Sequence, residues 1–332
     1  MKRHPLRHSS APAAATLFLL LGTLNGCAYL VRQGYIFYLK VNAQFSPKEI
    51  EILMKKSFIE KYKNRITIET TFTVDEAMQN PVAKIFDGDL HMAGRAPEIG
   101  LPAVAEIANG DDAKNAADLV HSVEGKGKPL RICGAWRIWA EHAGGAKQEQ
   151  GTPPLKISKS NNPDHVFEIH PITRINNIGT LHTFRPIKGY LPGDAKRTFE
   201  IYEKAECKLT VKSKTVSIVT ETGLYNDVEF LMEIADERQI EGPGGRFVMA
   251  SARDLKGNLL VKRLRMVFVK DTAPEKTVKV LKPGDRLHVY GLPRMDFAEL
   301  SRRVSGSRKD PTLLTKPLPY EIIIQGVYQD EK

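Results

Sequence analysis

The chain has 332 residues, 42 % of them hydrophobic and 27 % charged, with a formal charge of +10. That is ample apolar material for packed cores, with a charge content ordinary for a soluble protein. The sequence has no P-loop, no Rossmann glycine fingerprint, no H-E-x-x-H, no C-x-x-C and no G-x-S-x-G. ATP-dependent, dehydrogenase, standard zincin and esterase chemistries are therefore disfavoured.

The first eight residues carry Lys2, Arg3 and Arg7 and no acid, and an apolar run from about Ala11 to Leu24 follows. A basic start, a short apolar stretch and a small residue at its end predict a secretory signal over 1–26. The run is short for a bilayer-spanning helix, which needs about 20 apolar residues. The string Leu24-Asn25-Gly26-Cys27 resembles the lipobox of bacterial lipoproteins, in which the cysteine is acylated and the signal is cut before it. The resemblance implies an envelope protein held to the membrane by lipid on Cys27. Ala28 in place of aspartate favours the outer membrane, facing the periplasm. An uncleaved anchor is the competing expectation, because apolar residues resume at Ala28–Val31 before Arg32.

Loss of the signal lowers the charge to about +7, which suits contact with anionic headgroups, an acidic polymer or another envelope protein. Moderate basicity without any such role is also common. With Cys27 lipidated, Cys133 and Cys207 remain as a candidate disulfide in an oxidising compartment, the alternative being two buried thiols.

Ser46-Pro47-Lys48-Glu49 reads as a capping box, and Ile50, Leu53, Met54, Phe58 and Ile59 then share a helical face, so the segment 27–80 is expected to carry one helix. A strand is expected at Ile66–Val74. A first β-rich domain is expected over 81–190. In it Leu90 and Met92 alternate with Asp87, Asp89 and His91, a helix spans about Asp112–Val123, and a strand at Leu130–Ala140 puts Trp136 on its apolar face. Residues 144–163 read as an exposed loop, and Val166–Ile172 as strand. The punctuation from Arg185 to Asp194 marks a boundary, and 191–332 reads as a second β-rich domain. Its hairpin is centred on Lys256-Gly257, a short helix begins at Asp296, and a last strand covers Tyr320–Tyr328.

The strings DGDLHMAG and PGDRLHVYG, each followed by GLP, echo one another. Strands that begin at Gly-Asp and leave through glycine are frequent in small Greek-key barrels such as the OB-fold. The expected fold is thus mainly β with a few helices (α+β), as two tandem small barrel-like, OB-like domains.

Asp87, Asp89 and His91 share one strand face, Glu141 and His142 end the tryptophan strand, and Glu168 and His170 lie two apart in EIHPI. Converged, these groups are candidate ligands for a divalent metal ion, or a general acid and base. The plainer reading is a turn at Asp-Gly-Asp, a strand end at His170-Pro171, and histidines bonded to backbone carbonyls. The D-x-D-x-H and E-I-H-P-I motifs, with Asn162-Pro163-Asp164-His165 as lead-in, resemble a pattern in uncharacterised secreted bacterial proteins. The resemblance spans about Lys84–Ile175 and implies that Asp87, Asp89, His91, Glu168, His170 and Pro171 belong to one structural module; it implies no activity. Trp139, on the face opposite Trp136, is a candidate stacking platform for a sugar or base, or a tryptophan packed under a loop.

Two functions stay open. One is a lipid-anchored binding or structural accessory protein, which needs no catalytic residue. The other is a metal-dependent hydrolase of nuclease or phosphodiesterase type built on the Asp/His/Glu group. Nucleic-acid binding by an OB-like barrel ranks last, because aromatics are only 8 % of residues.

Overall fold

The computed structural model describes residues 28–32, 35–39, 48–84, 86–144, 147–151, 156–306, 312–315 and 317–329, with 28–39 and 312–315 as backbone alone. The expected signal and Cys27 lie outside the described residues. Residues 1–46 form one unit, in which β1 (Ala28–Arg32) and β2 (Tyr35–Leu39) make an antiparallel hairpin. Residues 47–332 form the other. Among the described residues no helix is long and apolar enough to cross a membrane.

The larger unit opens with β3 (Glu49–Lys55) and α1 (Lys56–Tyr62). Next come β4 (Thr67–Ala77), β5 (Leu90–Arg95), β6 (Ala103–Ile107), α2 (Lys114–Val123) and β7 (Pro129–Ile138). After β8 (Gln148–Glu149) follow β9 (Phe167–Ile175), β10 (Ile178–Gly179), α3 (Ala195–Lys204), β11 (Cys207–Val211) and β12 (Thr215–Glu221). The last third holds β13 (Val228–Gly242), β14 (Gly245–Arg253), β15 (Leu259–Val269), α4 (Ala273–Val278), β16 (Arg286–Met295), α5 (Phe297–Gly306), β17 (Thr312–Thr315) and β18 (Tyr320–Val327).

Two closed five-stranded barrels stand in tandem. The first runs β4-β5-β6-β9-β7 and closes through β7 on β4; the second runs β13-β14-β15-β18-β16 and closes through β16 on β13. Counted within each barrel the order is 1-2-3-5-4. The third and fifth strands are parallel (β6 with β9, β15 with β18), and a helix, α2 or α4, lies between the third and fourth. This is the OB-type Greek key expected from the sequence. Both barrels are tightened at the same place. On the fourth strand, Gly134 and Gly291 sit at shifts in register against the fifth. A Cβ on Gly134 would lie 2.6 Å from Ile169 Cγ2 and 2.8 Å from the Pro171 carbonyl, and one on Gly291 would collide with Ile322. Only glycine lets these strands close in.

That shared glycine, not the Gly-Asp echo, is the internal correspondence. DGDLHMAG leads into β5, a second strand, whereas PGDRLHVYG leads into β16, a fourth strand.

Other expectations need correction. Ile50, Leu53, Met54 and Phe58 are not one helix. Ile50, Ile52 and Met54 are buried as alternate residues of β3, which pairs with β12 along Thr220, Ile218 and Val216. The same apolar positions fit a period of two, and a distant strand supplies the backbone partners. β4, placed before the first domain, is that barrel's first strand. A third sheet, β17-β11-β12-β3-β8, joins segments from both sides of the expected boundaries.

The barrels face each other. Outward residues of β7 and β16 (Ala135, Tyr290, Leu292) meet Phe184 and Ile187 of the connector, the segment 180–194 that follows the first barrel, in a second, smaller apolar core. Trp136 lies beside it, stacked on Phe297 at 4.5 Å, with the Arg294 guanidinium 3.8 Å over its ring.

Candidate metal centre

Alternation sorts the first barrel's side chains. Leu90, Met92, Ala103, Ala105, Ile107, Phe167 and Ile169 enter the apolar core. Their neighbours Asp89, His91, Glu106, Glu168 and His170 turn to the other face. Register then brings these together: His91 is the cross-strand partner of Glu106, Val104 pairs with Glu168 in the parallel ladder, and Arg137 pairs with Glu168 on the remaining side. The place matches where barrels of this type bind, at the second and third strands and the loops after the first and fourth.

The cluster is enclosed: Asp89, Glu106, His165, Glu168 and His170 are each at most 4 % exposed. His170 sits at its centre, with Nε2 2.9 Å from Asp89 Oδ2, and Nδ1 3.1 Å from Glu106 Oε2 and 3.4 Å from Glu168 Oε2. Close as they are, these contacts lack hydrogen-bond geometry, and neither His170 nitrogen has a hydrogen-bond partner among the described residues. The same holds for both nitrogens of His91, whose Nε2 is 3.5 Å from Glu106 Oε2. His165 Nδ1 lies 2.7 Å from the Pro163 carbonyl and its Nε2 3.3 Å from Glu168 Oε1. Arg137 donates to Glu168 Oε2 and anchors the group to the second barrel through the carbonyls of Pro293 (2.8 Å) and Asn226 (3.1 Å). The Asn109 N–H donates to Asp89 Oδ1 at 3.0 Å. This residue holds a left-handed φ of 47°, which asparagine tolerates, while its side chain donates to Thr183 and Arg185 carbonyls of the connector.

The Glu168, Glu141 and Glu106 carboxyls act on the Arg137 guanidinium, Asp87 and Asp89 add to the acid beside them, and protonation answers part of the excess. Burial disfavours the His170 imidazolium, but Glu106, Asp89 and Glu168 outweigh it and hold the group well above the usual histidine range. His91 is raised in the same way, chiefly by Glu106. Burial opposes ionisation of Glu168 too, yet Arg137 with His165 and His170 keeps it well below the usual range. Burial, then Asp89, pushes Asp87 up to about 7, and burial raises Glu141. Burial and His165 push His142 down to about 3.

Of the expected site residues, Asp89, His91, Glu168 and His170 converge. Asp87 flanks them in a turn, its Oδ1 accepting the Asp89 N–H at 3.2 Å. Glu141 and His142 lie at the rim, 25 % and 27 % exposed and 3.5 Å apart, with the His142 ring stacked on His165 at 5.2 Å. His170-Pro171 does not end a strand, since β9 continues to Ile175.

Two candidate sites, each stated beside an alternative, are not formed. Cys133 and Cys207 are not bonded to each other, because Cys133 pairs with Glu69 and Arg174 in the barrel whereas Cys207 belongs to the third sheet. Trp139 is no platform: it is 2 % exposed, packs edge-on against Tyr202 at 5.3 Å and donates Nε1–H to the Tyr225 carbonyl at 3.0 Å. Sequence reasoning missed Glu106, His165 and Arg137 as members of the cluster. A lone acid inside the apolar string Ala103–Ile107 was the available signal for the first.

The buried Asp, Glu and His groups could hold a metal ion. Single ligand atoms of Asp89, Glu106 and His170 lie within 4.8 Å of one another, and so do those of Glu106, His165 and Glu168. No family model matches the chain, and no curated protein matches it.

Proposed function

We propose that the first barrel binds a divalent metal ion through Asp89, Glu106 and His170, and that the chain is an envelope-located binding or structural accessory protein. The observation that carries the metal is His170. Its two nitrogens face carboxylate oxygens at 2.9 and 3.1 Å, buried and without hydrogen-bond geometry. Buried polar atoms left so are costly; an ion held at one nitrogen, with the N–H of the other turned to its carboxylate, removes the cost. Mixed imidazole and carboxylate donors suit Zn²⁺ or a harder first-row ion such as Mn²⁺. A catalytic ion keeps an open coordination position, whereas these ligands are closed over by the connector and the second barrel, which favours a structural role. The basic amino terminus, the apolar run and the lipobox-like string at Cys27 support export and attachment to the outer membrane by lipid. The charge of about +7 left after loss of Lys2, Arg3 and Arg7 with the signal supports contact with anionic headgroups or an acidic polymer.

A second reading, a metal-dependent phosphodiesterase or nuclease, is favoured by one feature: the partly exposed Glu141 and His142 give water a way to the rim of the cluster.

Elemental analysis of the purified protein, unfolding with and without chelator, and assay of bis(p-nitrophenyl) phosphate hydrolysis test both readings. Bound metal, a melting temperature lowered by chelation and no turnover support the accessory role. Metal-dependent turnover moves the assignment to the hydrolase. Absence of metal after zinc and manganese loading removes both. Mass spectrometry of the mature amino terminus tests the lipid on Cys27, and an unmodified or uncleaved cysteine ends that part of the proposal.

A further inference from the structure

We infer that the centre is built for two metal ions, with Glu106 as the carboxylate shared between them. The inference rests on the metal reading above and adds the number of ions and the residues that divide them. Two compact triads occur, Asp89/Glu106/His170 and Glu106/His165/Glu168, and Glu106 alone belongs to both. Donors about 2.0–2.2 Å from one ion lie at most about 4.4 Å apart. Ligand atoms mutually within 4.8 Å therefore need sub-ångström movement to close on an ion. A carboxylate has two oxygens with lone pairs to spare, so Glu106 can give one to each ion. Paired ions sit about 3.5–4 Å apart in such sites.

The second triad carries its own sign of a cation. A carbonyl only accepts, so the proton of neutral His165 is on Nδ1, 2.7 Å from the Pro163 oxygen. Its Nε2 is then the nitrogen turned to Glu168 Oε1, at 3.3 Å, with both residues buried. A ligating histidine is oriented in this way, its distal N–H held by a backbone carbonyl. Stacking of His142 on His165 at 5.2 Å and 19° holds the ring plane. Glu168 is divided too: Oε2 accepts from Arg137, which leaves Oε1 for an ion. On the other side, the unpartnered His91 nitrogens adjoin Glu106 and offer the first ion a further donor.

Titration of the metal-free, full-length mature protein with Mn²⁺, followed by electron paramagnetic resonance, tests this. Two equivalents are expected to bind, with the second broadening the six-line signal through exchange coupling. His165→Gln is expected to reduce the stoichiometry to one and restore the uncoupled signal, and Asp89→Asn to do the same from the other side. One equivalent in the unaltered protein overturns the two-ion centre while the metal reading stands; no binding removes both. Two equivalents without coupling overturn the Glu106 bridge, and a His165→Gln protein that still takes two overturns the assignment of His165. The unaltered protein decides the stoichiometry even where a variant fails to fold.

Discussion

Arg137 and Glu168 are direct register partners across β7 and β9, both buried, and the guanidinium that donates to Glu168 also binds carbonyls at Pro293 and Asn226. One ion pair thus belongs at once to the wall of the first barrel, to the polar cluster and to the junction with the second barrel.

Removing the cation alone leaves a carboxylate buried without its counter-charge. Arg137→Met is expected to destabilise the protein by about 3–5 kcal/mol in urea unfolding. The double variant Arg137→Met/Glu168→Leu should recover much of that loss, because two apolar groups need no partner. A single variant costing under about 1 kcal/mol would show that water reaches Glu168.

Metal should stabilise the fold in proportion to occupancy. Zinc at about 100 times its dissociation constant is expected to add about 2.7 kcal/mol, and chelator to remove it. Glu106→Gln should abolish the gain, since Glu106 adjoins both His170 and His91. A zinc-induced shift equal in this variant and the parent would place the ion elsewhere.

Gly134→Ala forces a methyl group into Ile169 and the Pro171 carbonyl. The expected cost is about 1–3 kcal/mol, through displaced strands at the closure of the first barrel. Gly179→Ala, where nothing lies within 4 Å of the new Cβ, is the control and should be near neutral. Equal melting temperatures for the two variants would contradict the tight closure.

Asp296 caps α5, accepting N–H bonds from Ala298 (2.8 Å) and Glu299 (3.0 Å), with Arg265 at 3.0 Å. Burial and then Glu321 push its carboxyl up to about 6 against the pull of Arg265. The folded value lies above the unfolded one near 4, so the folded state holds the proton more tightly. Its contribution is therefore present below about pH 4 and is lost as pH rises to about 6. Asp296→Asn keeps the capping acceptor and removes the titration. The fall in unfolding free energy between pH 4 and 6.5 should shrink by about 1–3 kcal/mol in the variant. Superimposable pH profiles would assign the titration to another group.

Much of this was legible because it is local. A period of two placed β5 and β7 and set Asp89 and His91 on one face opposite Leu90 and Met92. Asp296 with Glu299 marked α5, and Lys256-Gly257 marked the β14–β15 turn, where Gly257 has φ of 88°. Where two periods fit the same residues, local pattern was not enough. Ile50, Met54 and Phe58 satisfy a helix, but the backbone partners waiting on β12 made Ile50–Met54 a strand.

The amino-acid sequence by itself determined which residues are apolar partners within each strand, where turns fall, and that Asp89, His91, Glu168 and His170 are polar members of otherwise apolar strands. Only the tertiary structure decided that these strands adjoin. Parallel pairing of β6 with β9 brings Glu106 to His170, closure of β7 on β9 brings Arg137 to Glu168, and the second barrel and connector shut out water. The physical reason is that side-chain alternation is written into neighbouring residues. The choice of which strand lies beside which is made by backbone pairing between segments tens of residues apart, and one acid in an apolar string cannot announce its partner.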